Sequence, residues 1–516
     1  MRTPWRYGKL LGFTLLACCA CSTLRTSYVK PYSAAFAAPA GAPTTEYAQA
    51  KVNDHDGRSG FRLLVDNNDA LMSRVVLADK ATRSIDLQYY IYDDDATGRL
   101  VSQRLLAAAD RGVRVRLLVD DLDAGDAEQT LDGLDAHPNI EVRLFNPFHT
   151  RNPSLLSRIG QFLIDGPRLN RRMHNKSFVV DNSVAILGGR NIGDAYFKEG
   201  DTQHFRDLDV IAIGPVVEQT SHAFDTYWNA TPAYPVKAFD SSKDGGEALA
   251  KLRQKLAGTA RATSDSAYAS SLGAALPGGA AVDKPGQWMW GRASIVADQP
   301  QKVEGKDDPA LLLDPKLDSM IGGAQHDVML ISAYFVPGDE DTKLFTALAR
   351  RGVHVKVLTN SLAATDEPMV HAGYARYRRD LLKGGVDVYE LRPLVGNQPA
   401  AHGASSGVSL HAKAVVVDRK RVFIGSMNID ERSKLLNTEM GVIADSPDLA
   451  AATAEYFNSA TKPINAYHVT IDDGTMHWTA LGDDGKMKIE AHEPDVPLAR
   501  RLEVYTLRVL PIDGLL

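Results

Sequence analysis

No cysteine occurs beyond residue 21; the chain's three are Cys18, Cys19 and Cys21. The folded body is therefore expected to hold no disulfide and no cysteine-ligated structural zinc. A membrane-spanning run is missing where the N-terminus would place one, because the apolar stretch at residues 10–17 is too short to cross a bilayer. Neither sign of charge dominates. With 58 basic and 64 acidic residues the formal net charge is −6, which speaks against bulk nucleic-acid binding while permitting a local basic channel. What remains is an ordinary globular composition, 44% hydrophobic and 24% charged, over 516 residues. That length exceeds what a single core normally serves, so two or more domains are expected.

One uncommon motif, HxKxxxxD with a trailing glycine and asparagine, occurs twice. The first copy is His174, Lys176, Asp181, Gly188 and Asn191, and the second is His411, Lys413, Asp418, Gly425 and Asn428. In both copies the glycine follows the histidine by 14 positions and the asparagine by 17. The flanks repeat as well, RMHNKSFVVDNSVAILGGRNIGD against SLHAKAVVVDRKRVFIGSMNIDERS. Upstream, a strand-helix-strand pattern at 84–92, 100–111 and 113–119 is matched by 328–336, 342–351 and 353–359, with Gly112 and Gly352 as the helix stops. Such alternation predicts parallel pairing with right-handed crossovers. Each half is expected to be an α/β sandwich, and the two are expected to meet about a pseudo-twofold axis with the active site at their interface.

The chain divides accordingly. Residues 1–21 read as a signal peptide, with Arg2, Arg6 and Lys9 ahead of the apolar stretch. An alanine precedes both Cys18 and Cys21 in LLACCAC, the layout of a bacterial lipoprotein signal, so either cysteine is a candidate for lipidation and the body is expected on the cell envelope, facing the periplasm. An uncleaved anchor and simple secretion stay open. Residues 22–58 read as an Ala/Pro-rich tether, 59–240 as the first half, 241–310 as a linker or insertion, 311–465 as the second half, and 466–516 as a C-terminal extension. Within that extension LARRLEVYTLRVLPIDGLL has the spacing of a helix packed on its own domain, with a membrane-surface role as the alternative.

In a strand, residues two apart share a face, so HxK is expected to send an imidazole and an ammonium into one space. Two such pairs facing one another suit a phosphate anion, with lysine as point charge and the amides of Asn191 and Asn428 as neutral donors. A phosphodiester is the implied substrate. One neutral imidazole can attack phosphorus while a protonated partner assists the leaving alcohol, and the roles then reverse. The attacking ring needs its second nitrogen held by a carboxylate. Aligning FRDLDVIAIGP with LNTEMGVIADSP offers one acid from each half, Asp207 and Glu439, as orienting groups. Asp181 and Asp418 complete the six motif residues taken as the catalytic set, although their places at strand ends favour a turn or salt-bridge role. Tyr89, Tyr90 and Tyr334 read as core. Arg171 and Arg172 could meet a lipid headgroup or lie in a solvated turn, and residues 154–172 could form a lid, a lipid entrance or a surface loop.

These residues resemble the phospholipase D superfamily, whose signature is the duplicated motif. VRLFNPF, RLNRRMHNKSF, GGRNIGDAYF, AIGPVVE, LLNTEMG, LTNSLAATD and VHAGYARYR are similar to the bacterial C-type cardiolipin synthases. The resemblance implies a phosphatidyltransferase that makes cardiolipin from phosphatidylglycerol and a second phospholipid through a phosphohistidine, without metal or organic cofactor. Its substrates are phospholipids at a membrane surface, and no nucleic acid is expected. It carries the nucleophile to His174 and the acid to His411. Cardiolipin synthases of the family commonly have transmembrane helices, and this chain departs from that pattern. A second difference is that GSMN stands in the second motif where the first has GGRN, which puts a hydroxyl, Ser426, beside His411 alone, as a further candidate substrate contact. A hydrolytic phospholipase D, a nuclease and a non-catalytic lipid-binding lipoprotein remain as competing readings.

Overall fold

Short runs rich in valine, isoleucine and leucine form the strands of two sheets, and the alternation of their side chains decides what each sheet buries. The computed structural model describes residues 28, 30–122, 124–149, 155–197, 204–239, 245–264, 288–306, 308–395, 398–399, 407–482 and 484–508. The signal segment with Cys18 and Cys21 lies outside the described residues. The first half supplies β1 (Ser59–Leu64), β2 (Ser84–Tyr89), β3 (Arg114–Asp120), β4 (Ile140–Phe145), β5 (Ser177–Val180), β6 (Val184–Gly188), β7 (His204–Arg206), β8 (Asp209–Ile213) and β9 (Ala233–Pro235). The second supplies β10 (Met289–Ala297), β11 (Asp327–Ser332), β12 (His354–Asn360), β13 (Asp387–Leu391), β14 (Leu394–Val395), β15 (Gln398–Pro399), β16 (Val408–Leu410), β17 (Lys413–Val417), β18 (Arg421–Gly425), β19 (Met440–Asp445), β20 (Ala466–Asp472), β21 (Thr475–Leu481) and β22 (Met487–Glu490).

The first sheet runs β1-β8-β6-β5-β2-β3-β4-β9. The second repeats it as β10-β19-β18-β17-β11-β12-β13-β20, then adds β21 and β22. Both belong to an α/β protein built from two copies of one unit. Parallel pairing is narrower than the sequence pattern suggests: within these two sheets, among the described residues, only β2-β3-β4 and β11-β12-β13 are parallel, because helices connect those strands. The motif strands β5 and β17 instead turn back tightly into β6 and β18 and pair antiparallel.

Alternation along β5 and β17 explains how the halves join. Phe178 and Val180 enter the core under the first half's helices, and Val415 and Val417 do the same in the second. Val179, Ala414 and Val416 point the other way, into a shared core with Phe61, Leu187, Val422 and Val442 from both sheets. The two sheets therefore pack on each other through the motif strands. They also touch at an edge, where β1 pairs antiparallel with β10.

Three assigned boundaries need correction. Part of the supposed tether is docked on the first half: Arg143 donates to Pro31 O, Arg116 to Ser33 O, and Thr44 Oγ1 to Asp181, while Pro43–Val52 is helical. Buried arginines otherwise short of acceptors explain why an alanine- and proline-rich segment adheres. The stretch read as a linker contains β10, the first strand of the second sheet, as well as the helix Gly245–Ser264, which buries Leu252 and Leu256. The C-terminal extension supplies all of β20, β21 and β22, followed by a helix, Leu498–Leu507, that packs through Val504 near Val336 and Ala372.

Asp181 and Asp418 leave the catalytic set. Each opens the turn after its strand, at φ 50° and 51°, at the end of the strand opposite its histidine. Asp181 accepts from the backbone N–H groups of Thr82, Arg83 and Ser84 just before β2. Asp418 accepts from Gln325, His326 and Asp327 at the start of β11. These carboxylates tie the motif strand to the first parallel strand of each sheet. Asp181→Ala is expected to lower the unfolding free energy by about 3 kcal/mol, because buried donors lose their acceptor, and the more accessible Asp418→Ala by about 1 kcal/mol. Urea denaturation measures both, and turnover per folded molecule should stay near wild type; lost turnover at unchanged stability would restore the aspartates to the chemistry.

Candidate active site

The site forms beyond the C-terminal ends of β2, β3, β11 and β12, where the chain of each half crosses to the other. Neither histidine lies in a strand. Met173 bridges Thr438, His174 N–H donates to Thr438 O at 2.9 Å, and Thr438 N–H returns a bond to Arg172 O at 2.8 Å. In the second copy β16 pairs in parallel with β7, and His411 N–H donates to Arg206 O at 2.8 Å. The residue after each partner is an acid. His174 Nδ1 lies 2.9 Å from Glu439 Oε2 and 3.0 Å from Oε1, and His411 Nδ1 lies 2.6 Å from Asp207 Oδ2.

The carboxylates are therefore exchanged, each acid orienting the histidine of the other half. A histidine segment meets the other half's acid because the backbone pairings themselves cross the interface. All four groups are buried. With Nδ1 engaged, Nε2 is the ring nitrogen left for chemistry. Two residues that the sequence reading overlooked shape the approach to the histidines. Asp120 accepts from Met173 N–H and Asn360 from Leu410 N–H, each at 2.8 Å and each from the last position of a parallel strand. Their shared place at the ends of β3 and β12 was a readable signal.

Both lysines are buried, and each ammonium donates to the carbonyl of its own motif histidine, Lys176 to His174 O at 2.6 Å and Lys413 to His411 O. Aromatic faces complete the walls. Lys176 Nζ stands 5.5 Å from the Tyr90 ring centre, and Tyr90 meets His174 edge-on at 5.1 Å. Lys413 Nζ stands 5.9 Å from the Tyr334 ring, while Tyr196 and Phe205 contact His411 at 5.2 and 5.1 Å. Of the three tyrosines read as core, only Tyr89 is, bonded to Arg74; Tyr90 and Tyr334 sit just past β2 and β11 and line the site.

The asparagines take up positioning tasks. Asn191 Oδ1 accepts from Ile91 N–H and its amide donates to Tyr196 OH, and Asn428 Oδ1 accepts from Tyr334 N–H at 3.3 Å. Ser426 also serves a different partner from the one expected, since its hydroxyl donates to Glu439, the carboxylate of His174. At the equivalent Gly189 a Cβ would come within 2.2 Å of Asp207 Oδ1, so no side chain fits there. Arg172 is buried against Asp120 and Asn146 O, away from solvent, and Arg171 donates to Lys302 O.

Burial sets the protonation of the site. It pushes Glu439 up to about 7 against the pull of Lys176 and the Ser426 hydroxyl. Burial also acts on Asp207, but the His411 ring, Lys413 and Arg190 outweigh it and hold that carboxylate at about 2. Burial and the two lysines depress both imidazoles, His411 to about 4 with Asp207 opposing, and His174 further. The ionised Asp207 favours a proton on His411, and His174 is the ring more readily left bare.

The family described as cardiolipin synthase, PLD-like domain, matches residues 75–228 and 317–461, one copy of the motif in each segment. The chain belongs to this family of phospholipase D-type phosphatidyltransferases. Over 469 residues it is 40% identical to cardiolipin synthase C of Escherichia coli (strain K12), across 90% of this chain and 98% of that protein. An uncharacterized protein of Helicobacter pylori (strain ATCC 700392 / 26695) is 34% identical over 90% of this chain and 91% of its own length. Among solved structures, the phosphatidylserine synthase of Haemophilus influenzae Rd KW20 has a TM-score of 0.57 at 13% identity, covering 91% of this chain and 98% of that one, a likeness of fold.

The lysines give the site a pH signature. Burial lowers Lys176 to about 7 and Lys413 to about 8, although Glu439 and Asp207 pull the other way. Each ammonium is present below its pKa and lost above it, so kcat/KM on a phospholipid substrate is expected to fall as pH rises through 7 to 8. A bound anion favours the ammonium form, so the fall in kcat should lie at higher pH. A profile flat to pH 9 in both parameters would contradict charged lysines at the phosphate.

Proposed function

We propose that the enzyme makes cardiolipin from phosphatidylglycerol and a second phospholipid through a phosphohistidine. The crossed imidazole–carboxylate pairs carry this reading: each engages Nδ1 and leaves Nε2 for chemistry, and the charges of both lysines act on both rings. His174 Nε2 attacks the donor phosphorus, the P–O bond to the headgroup breaks, and His411 gives its proton to the leaving oxygen. Lys176 and Lys413 offset charge on the non-bridging oxygens. His411 then takes the proton from a glycerol hydroxyl of phosphatidylglycerol, whose oxygen attacks phosphorus and frees His174. The name of the 40% identical Escherichia coli relative supports cardiolipin as the product.

Incubation with phosphatidylglycerol labelled in its headgroup is expected to yield cardiolipin and labelled glycerol. Brief reaction and alkaline quenching should leave phosphorus on His174, with none trapped in His174→Ala. Phosphatidic acid as the sole product would turn the reading to hydrolysis, and an adduct on His411 would reverse the two roles.

We place the protein on the envelope membrane through a lipid on Cys21 or Cys18. A second contact is proposed at Phe162, Leu163 and Ile164, three consecutive exposed apolar residues on the kinked helix Leu155–Leu169, which leads directly to Arg171 and His174. Labelled palmitate should enter the wild type and not the Cys18→Ser/Cys21→Ser variant. In that variant, serine at 162, 163 and 164 is expected to reduce flotation with phosphatidylglycerol vesicles several-fold; unchanged flotation would remove the helix from the membrane contact.

A further inference from the structure

One half-buried carboxylate near the site has no task in the chemistry above. Asp366 lies in the loop between β12 and the helix Pro368–Lys383. Its Oδ2 accepts from Tyr334 OH at 2.8 Å, which fixes the carboxylate's direction. Its Oδ1 is buried and has no hydrogen-bond partner among the described residues. The loop is braced next door, where Thr365 O accepts from Arg500 and the Thr365 hydroxyl bonds Glu367 O. The charge of Asp366 acts on Tyr334, on Lys413 and on Tyr196, the ring set edge-on to His411. Asp366 therefore stands on the His411 side of the site.

A buried acceptor left unpaired is costly, so a hydrogen-bond donor is called for when the site is filled. The phosphate cannot be that donor: it has only acceptor oxygens, and it is drawn to the lysines. The leaving and incoming alcohols are the parts of the substrates that His411 handles, and a glycerol headgroup brings a second hydroxyl next to the one that reacts. We propose that Asp366 Oδ1 accepts a hydrogen bond from this neighbouring hydroxyl, and so selects a polyol headgroup as the acceptor over a simple alcohol or water. The inference rests on the phosphatidyl-transfer reading and adds to it the residue that chooses the acceptor.

Competition within one reaction tests this without depending on how much protein is folded. Purified full-length enzyme and Asp366→Ala are given unlabelled phosphatidylglycerol vesicles with equal concentrations of labelled glycerol and labelled 1-propanol, and the two labelled lipid products are counted. The ratio of glycerol to propanol product is expected to fall about tenfold in Asp366→Ala and less in Asp366→Asn, which keeps one acceptor oxygen. An unchanged ratio with lower total turnover would make Asp366 a brace for Tyr334 and overturn the proposal. A variant that keeps the alcohol ratio but loses preference between ethanolamine and glycerol headgroups in the donor would overturn it in favour of ammonium recognition. Wild-type enzyme that transfers to neither alcohol would refute the transfer reading itself, whereas wild-type transfer with an unaltered variant ratio refutes only the role of Asp366.

Discussion

Each motif imidazole is held by a carboxylate from the opposite half, and most of the architecture follows from keeping that exchange intact. His174 with Glu439 and His411 with Asp207 are fully buried pairs, and a buried charge without its partner is strongly destabilising. Neither half contains a complete pair. The shared core through Val179, Val416 and their neighbours brings the sheets together, and the backbone pairings at Thr438 and Arg206 set the register so that each acid falls beside the other half's ring. Duplication is thus more than repetition here, because one copy alone would bury a histidine and an acid with nothing to bond.

The two pairs share a plan and differ in detail. Glu439 is one methylene longer than Asp207, meets His174 with both oxygens, and has Ser426 donating to it. Asp207 reaches His411 with one oxygen at 2.6 Å, and the position equivalent to Ser426 must be Gly189 because the acid occupies the space a side chain would need. The Asp207 carboxylate stays ionised while Glu439 is drawn toward its neutral form. Two rings related by duplication therefore sit in unequal fields.

The duplicated motif made the paired site legible from residue spacing alone, as did the two orienting acids, because each appears at matching offsets in both halves. Pairing across halves was not legible. Sequence alignment equates Asp207 with Glu439 but is silent on which histidine each will touch, and only the parallel bridge between β7 and β16 and its counterpart at Met173 decide that. Local rules also misled at Tyr90 and Tyr334: both follow a buried strand and read as core, yet Tyr90 lies one and Tyr334 two residues past the last ladder residue, where the chain opens into the site. The docking of residues 30–52 was hidden for another reason. Its contacts are backbone carbonyls accepting from Arg114, Arg116 and Arg143, and a carbonyl leaves no trace in composition.

A chain with a net charge of −6 nevertheless gathers two buried ammonium groups at one point, and the depressed affinities of those groups for protons have a use. Lys176, Lys413, His174 and His411 all hold protons more weakly than in water, chiefly because burial disfavours their charged forms. An arriving phosphodiester supplies the missing negative charge, and every one of those affinities rises with it. The approach of negative charge that loads the lysines therefore loads the imidazoles too, and it does so beside carboxylates that already differ, Asp207 ionised and Glu439 inclined to neutrality.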